Sequence, residues 1–435
     1  MIRKRLISAI SGNMLMQAVN AVIQIAGIPI LLKFWGVEYY GEWLLLFTIP
    51  SYVGMSDMGL GTATTSELSM LVQGGNAAQA SVILRNTFWF ILLVGGIPFL
   101  LLGLSMFFLP WYDWLHFSKI TPDEFGPAFF FLLLYVYLSL FLTLPLGYYR
   151  VQQVYHRERV ISSIFRIIEF GSVVAAVIMG CKIVAVALVY FAVRLIMLIF
   201  VLMELSQRYD GFRLLPFSLG YSKVRHLLRP GLSAMTIYMG QNFMVQGLVS
   251  IIGIGLGSAQ VVIFSTARTL VNVVKQVVNI INLSVTSEFS YAYGKGQWDV
   301  LRKLFRVSVK GNFVMALAML SGLYLFGFEI IDIWTGGKVA VTNPFFLLVL
   351  LGTLVNTIWN GYLVLMVATN QLGRSGVFFL LNALLLLLIN GVGIHYFGLN
   401  GVSASILAFE VLMTAIMMAS SRHLWQAEGS INPVT

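Results

Sequence analysis

The chain has 435 residues, of which 59% are apolar and only 10% charged; soluble domains run near 45–50% and 25%. Its 27 Lys+Arg against 17 Asp+Glu give a net charge of +10, and Cys181 is the only cysteine. A soluble globular enzyme, a disordered chain and a disulfide-built protein are thereby excluded, and twelve helices of about 20 apolar residues would take up more than half of the chain.

Apolar runs between breakers predict an all-α polytopic membrane protein with about twelve membrane helices, at about 7–32, 42–66, 82–109, 125–149, 160–180, 183–205, 231–256, 259–286, 308–334, 344–368, 374–397 and 400–421. Arg3, Lys4 and Arg5 have the look of a signal-peptide start. The run that follows is long, however, and shows no small-x-small cleavage pattern, so it is expected to remain as the first helix. That helix carries Asn13, Gln17, Asn20 and Gln24 at spacings that share one face. Such a row suits either a hydrated cleft for sugar hydroxyls or hydrogen-bond glue between helices. In the second span, Asp57 follows Pro50 and Gly54 and precedes Gly59 and Gly61. A carboxylate among helix breakers either binds a coupling cation beside freed carbonyls or caps a broken helix. Trp111, Tyr112 and Trp114 read as an interfacial belt.

The fifth span holds Arg166 and Glu169 at i and i+3. They form either a local ion pair or a cavity anchor, with Glu169 as a proton or cation site. Arg194 in the sixth span has no partner on its own helix, and Glu169 is a candidate across helices. The longest connection, about 206–230, is basic. The eighth span is the most informative: Ser265, Arg268, Asn272, Lys275, Asn279, Asn282 and Thr286 form one stripe. From Arg268 to Asn282 the stripe runs about 21 Å, too far for snorkelling to the interface. The reading is a wet, cationic cavity for an anion such as a phosphate, which arginine can fork and lysine can meet as a point charge; the other reading is polar packing between helices. Thr353, Asn356 and Asn360 in the tenth span add amides for sugars or for glue, and Glu410 stands alone in the last.

With the N-terminus inside, Lys33, Lys119, Lys182 and Lys338 fall outside, and Arg166, Arg194, Arg268 and Lys275 fall within spans. The other 19 of the 27 basic residues lie on the cytoplasmic side, as the positive-inside rule requires for both termini cytoplasmic. Nucleic acid is then unnecessary to explain the charge. The chain also repeats itself. Thr65-Ser66-Glu67-Leu68-Ser69 returns as Thr286-Ser287-Glu288-Phe289-Ser290, and the same offset maps Gly36 onto Gly257, Gly75 onto Gly296 and Arg85 onto Arg306. An even number of helices per copy predicts two parallel six-helix repeats, forming lobes 1–215 and 216–435 around a central cavity with the substrate site near mid-membrane.

No Walker A motif, H-E-x-x-H or Cys/His cluster occurs, so neither an ATP engine nor a metal centre is expected, and no catalytic residue is assigned. Trp35-Gly36-Val37-Glu38-Tyr39-Tyr40-Gly41-Glu42-Trp43 followed by Ser56-Asp57-Met58-Gly59-Leu60-Gly61 resembles the start of the polysaccharide-exporting flippases, for O-antigen and capsule repeat units, of the multidrug/oligosaccharidyl-lipid/polysaccharide superfamily. The resemblance implies a bacterial inner-membrane flippase that moves an undecaprenyl-diphosphate-linked oligosaccharide to the periplasmic leaflet by alternating access. It also implies coupling to a proton or sodium gradient, no cofactor, and glycan polymerase or chain-length proteins as partners. On that reading Arg268 and Lys275, with Arg166 and Arg194, meet the diphosphate. Asn13, Gln17, Asn20, Gln24, Asn272, Asn279, Asn356 and Asn360 meet sugars, and Asp57 or Glu169 carries the coupling ion. The competing readings are a cation-coupled multidrug exporter of the same superfamily and an integral polymerase or acyltransferase of the same glycan pathway.

Overall fold

A computed structural model describes residues 2–57, 59–369, 371 and 375–426, with side chains described except at 2–10, 223, 229–230, 232–234, 283–284, 287, 423 and 425–426. Met58 and Arg374, and the side chains of Arg3, Lys4, Arg5, Lys223, Arg229 and Ser287, therefore lie outside what is described. The described chain is helical, without strands. Backbone groups in lipid have no water to bond, and a helix satisfies them within one segment.

The elements are α1 (Ile2–Ser51), a 3-10 turn (Tyr52–Asp57), α2 (Leu60–Gln73), α3 (Ala77–Phe108), the short α4 (Trp111–Trp114), α5 (Pro122–Val151), α6 (Tyr155–Ile178) and α7 (Ile183–Arg208). There follow α8 (Tyr221–Asn242), a π-helical turn (Phe243–Gly247), α9 (Leu248–Leu256), α10 (Ser258–Gly294), α11 (Trp298–Thr335), α12 (Asn343–Ala368) and α13 (Ser375–Gln426). Ten described stretches are long and apolar enough to cross a membrane. Two of them are double: α1 breaks at Gly36 (φ 75) and α13 at Gly398 (φ 55), both non-helical. Counting each as two crossings gives twelve.

The chain forms two compact units, residues 1–242 with 257–259, and 243–256 with 260–435. In the first, α5 is the hub, packed on α7, α2, α3 and α1, while α1 lies along α6. Phe129, Leu132, Leu133 and Tyr149 of α5 are wholly or almost wholly buried, so this helix is apolar all round instead of striped. Close approach of α2 and α5 depends on small residues. A Cβ on Gly61 would fall 2.2 Å from Thr143, and one on Gly147 would fall 2.3 Å from Thr65. This reciprocal Gly/Thr register, four residues apart on each helix, is the small-residue packing of membrane helices. The connection after α7 is fastened to α3: Trp89 Nε1 donates to the Leu214 carbonyl at 2.9 Å, and Asn86 Oδ1 accepts from Ser218 Oγ at 2.9 Å and from the Gly220 amide at 2.5 Å. In the second unit α12 packs on α13 and α11, and α13 on α9.

The duplication in the sequence is also a duplication of backbone. Left-handed conformations occur at Gly36 and Gly257, at Gly75 and Gly296, and at His116 and Gly337, all at the offset that relates the sequence copies. Thr65 and Thr286 each donate to the carbonyl four residues earlier at 2.7 Å, and Leu68 and Phe289 are both buried. Several boundaries differ from the hydropathy reading: the predicted 42–66 span is broken by the 3-10 turn and α10 runs on to Gly294, and two helices start early. Helix α8 starts at Tyr221 and α11 at Trp298, about ten residues before their apolar runs. Their first turns are amphipathic, with Val224, Leu227 and Leu301 buried, and a window tuned to continuous apolar residues passes over them.

Candidate functional site: charged clusters within the membrane helices

In the first unit the cluster forms on α5, α6 and α7. Glu169, 4% exposed, accepts from Arg166 Nη1 at 3.0 Å and from Arg194 Nη2 at 3.0 Å. Tyr135 OH lies 3.4 Å from the same carboxylate. Arg194 Nη2 also donates to Tyr135 OH at 2.5 Å, with its guanidinium 4.5 Å from the Tyr135 ring centroid. Tyr190, stacked against Trp43 and edge-on to Tyr135, closes one side. The i, i+3 spacing on α6 supplies the first pair, and α7 supplies the second arginine across the helix interface. Two arginines thus share one carboxylate, leaving one positive charge in excess. Arg194 Nε is buried without an acceptor among the described residues.

The second unit has a buried carboxylate of its own, with different partners. Glu410, 2% exposed, accepts from Asn356 Nδ2 at 3.0 Å and from Trp359 Nε1 at 2.5 Å. Lys275 and Arg268, one above the other on α10, interact electrostatically, and Lys275 also senses the Glu410 charge. Same-helix spacing shows no acidic neighbour for Lys275; its counter-charge comes from α13. Arg268 Nη1 donates to the Val245 carbonyl at 3.3 Å, within the π turn. A π turn shifts the backbone hydrogen-bond register and exposes carbonyls to side chains, and nothing in the composition signals it. Lys275 is the basic residue that acts on Glu410, while Arg268 acts on Lys275 and bonds to the π turn. Tyr135 and Asn356, which donate to the two carboxylates, stand at the offset of the repeat.

The amide rows divide. Asn13 Oδ1 accepts from Tyr155 OH at 2.9 Å, Asn356 is held by Glu410, and Asn360 Oδ1 accepts from Asn282 Nδ2 at 3.2 Å. Asn282 Oδ1 in turn accepts from Asn312 Nδ2 at 2.7 Å, so this part of the α10 stripe is buried interhelical glue, whereas the Ser265 hydroxyl is buried with no hydrogen-bond partner among the described residues. Gln17, Asn20 and Asn272 are half-buried, whereas Gln24 and Asn279 are exposed. Asp57 Oδ1 accepts from the Gly59 amide two residues on at 3.1 Å, an Asx turn that leads the chain into α2. Among the described residues no group of His, Cys, Asp and Glu is arranged to hold a metal.

One polar centre escaped the sequence reading. Glu42 on α1, 1% exposed, accepts from the Ser118 amide at 2.8 Å and Ser118 Oγ at 2.9 Å. It also accepts from the Lys119 amide at 2.9 Å and the Ile120 amide at 2.7 Å. Three successive amides form a nest around this carboxylate, from a loop far away in sequence. Lys119 pairs with Glu38 and Lys182 with Glu124 around a cavity of about 600 Å³ at the same end of this unit.

No family model matches the sequence, and no curated relative does. Solved structures do match in fold. A MATE protein in complex with MaL6 aligns with TM-score 0.64 at 15% identity, covering 97% of this chain and 96% of its own. An outward-facing multidrug resistance MATE family transporter of the MOP superfamily aligns with TM-score 0.57 at 16% identity over 97% and 96%. A MOP superfamily transporter from Pyrococcus furiosus with a binding pocket of reverse polarity aligns with TM-score 0.56 at 14% identity over 98% and 95%. The chain is a multi-pass membrane protein with the fold of the MATE transporters of the MOP superfamily.

Proposed function

We propose that this chain is an exporter of anionic, lipid-linked saccharides: a flippase that carries undecaprenyl-diphosphate-linked polysaccharide repeat units across a bacterial inner membrane by alternating access, without enzymatic activity of its own. The observation that carries this reading is the surplus of basic residues within the membrane helices: Arg166 and Arg194 share the single carboxylate of Glu169, and α10 carries both Arg268 and Lys275 with only Glu410 acting on Lys275. An ion inside the membrane costs roughly 2.5–3.5 kcal/mol on insertion scales, so surplus charge persists where it has work to do. Surplus cations attract an anion; they repel the cationic compounds that a multidrug exporter takes. Arg268 and Lys275 are assigned to the diphosphate, with Arg166 and Arg194 in support. Gln17, Asn20, Gln24, Asn272 and Asn279 are assigned to sugar hydroxyls, with Asn13, Asn356 and Asn360 holding the helices that present them. Glu169 is favoured over Asp57, which is engaged in a turn, for proton or sodium coupling. Glycan polymerase and chain-length proteins are the expected partners.

A second reading, cation-coupled drug export, is favoured by the same two buried carboxylates, Glu169 and Glu410, and by the likeness in fold to a multidrug resistance transporter. Arg268 and Lys275 replaced singly by alanine, at normal membrane levels, are expected to lower surface polysaccharide about tenfold, the equivalent of about 1.4 kcal/mol, with partial retention in the Arg/Lys swaps. Normal polysaccharide from both alanine variants would overturn the anion site. Sensitisation to cationic drugs on deletion, with surface glycan intact, would establish the second reading instead.

A further inference from the structure

The ends of α5, α6 and α7 carry a second set of charges that the transport reading does not use. Glu158, buried at the start of α6, lies 3.4 Å from Arg150 Nε and 3.5 Å from Arg159 Nε. Glu204, near the end of α7, lies 2.5 Å from Arg157 Nε and 3.3 Å from Arg208 Nε, and it also accepts from Tyr149 OH at 2.8 Å. Residues 149–150 close α5 and residues 157–159 open α6, so both triads share one end of the first unit. Each has two arginines for one carboxylate, which leaves two positive charges. The carboxylates are inside, while Arg150 and Arg208 keep 41% and 53% of their side-chain surface open. Arg150 and Arg159 also stack on the Tyr155 ring, at 5.2 and 4.8 Å, and Arg159 Nε donates to its hydroxyl at 2.8 Å.

We propose that this arginine cluster is a docking site for the phosphate of an anionic phospholipid headgroup. The three helices cross the membrane, so their ends stand at headgroup depth, where a lipid is the neighbour at hand. Each buried carboxylate holds its arginines in place and leaves guanidinium N–H groups facing outward, the fork geometry that phosphate accepts. The aromatic ring between two arginines belongs to the interface belt. Anionic lipid attracts basic residues that stand near the membrane surface. The site holds whichever cargo the protein carries.

The test removes the two surplus charges and leaves each carboxylate one arginine: R150Q/R208Q, which keeps the Arg159–Glu158 and Arg157–Glu204 pairs. Full-length protein is extracted from vesicles of equal phosphatidylglycerol and phosphatidylcholine, and the retained lipids are counted by native mass spectrometry. Wild type is expected to retain phosphatidylglycerol over phosphatidylcholine about fivefold, and R150Q/R208Q about equally. K303Q/R306Q, which removes two exposed charges of the second unit, is expected to behave as wild type. If the double variant fails to fold, R208Q alone is expected to halve the preference. Equal retention by wild type, an unchanged preference in R150Q/R208Q, or the same loss in K303Q/R306Q would overturn the site. Binding of an acidic peptide without any lipid preference would overturn it in favour of a protein partner.

Discussion

Glu169→Ala is expected to be the most damaging single substitution in the first unit. It leaves Arg166 and Arg194 within membrane helices with no carboxylate between them. Breaking a buried ion pair by removing one partner costs about 3–5 kcal/mol, because the charge left behind is neither solvated nor paired. Arg166→Gln should be mild by contrast. The Arg194–Glu169 pair at 3.0 Å survives it, and Arg166 is the more open arginine of the two. Thermal unfolding in detergent separates the outcomes: a drop of roughly 6–20 °C for Glu169→Ala, at about 2–4 °C per kcal/mol, and little change for Arg166→Gln. Equal stability of Glu169→Ala and wild type would show that the triad is not an electrostatic unit.

Glu42→Ala is expected to cost about 3 kcal/mol, because three backbone amides and the Ser118 hydroxyl lose their shared acceptor and a buried donor left unmet costs about 1–3 kcal/mol. Water reaches exposed Ser118 and Lys119 but not buried Ile120, so the penalty concentrates there. The same unfolding measurement should show a fall of about 6–12 °C. Glu38→Ala, which removes the exposed ion pair to Lys119, should leave the transition within scatter. Indistinguishable curves for Glu42→Ala and Glu38→Ala would refute the role of the nest.

The parts of this structure legible in the sequence are those with a period. Apolar runs of membrane length place the crossings, and one offset predicts where positive φ recurs, at Gly36 and Gly257 and at Gly75 and Gly296. The i, i+3 step gives Arg166–Glu169, and seven-residue spacing sets Arg268 above Lys275. What has no period stays hidden. The carboxylate that Lys275 senses comes from α13, and the acceptor for Arg268 comes from a π turn in another helix. The donors to Glu42 lie on a loop 76–78 residues away. The amides of α1, α10 and α12 look alike in sequence. Only packing separates Asn282 and Asn360, which bond to each other, from Asn279, which is exposed. The amphipathic first turns of α8 and α11 are lost for a related reason: a few buried residues among polar ones are weak in hydropathy and strong in contact.

The proposed function requires that surplus cations inside the membrane serve an anionic headgroup. Reconstitution of the purified chain in vesicles with a fluorescent undecaprenyl-diphosphate-linked oligosaccharide, read by the fraction a membrane-impermeant quencher reaches, tests this most directly. Wild type is expected to move the label between leaflets at least tenfold faster than protein-free vesicles, and R268Q/K275Q to lose most of that gain while remaining folded. Movement no faster than in protein-free vesicles under an imposed proton or sodium gradient, together with uptake of a cationic dye by the same vesicles, would contradict it.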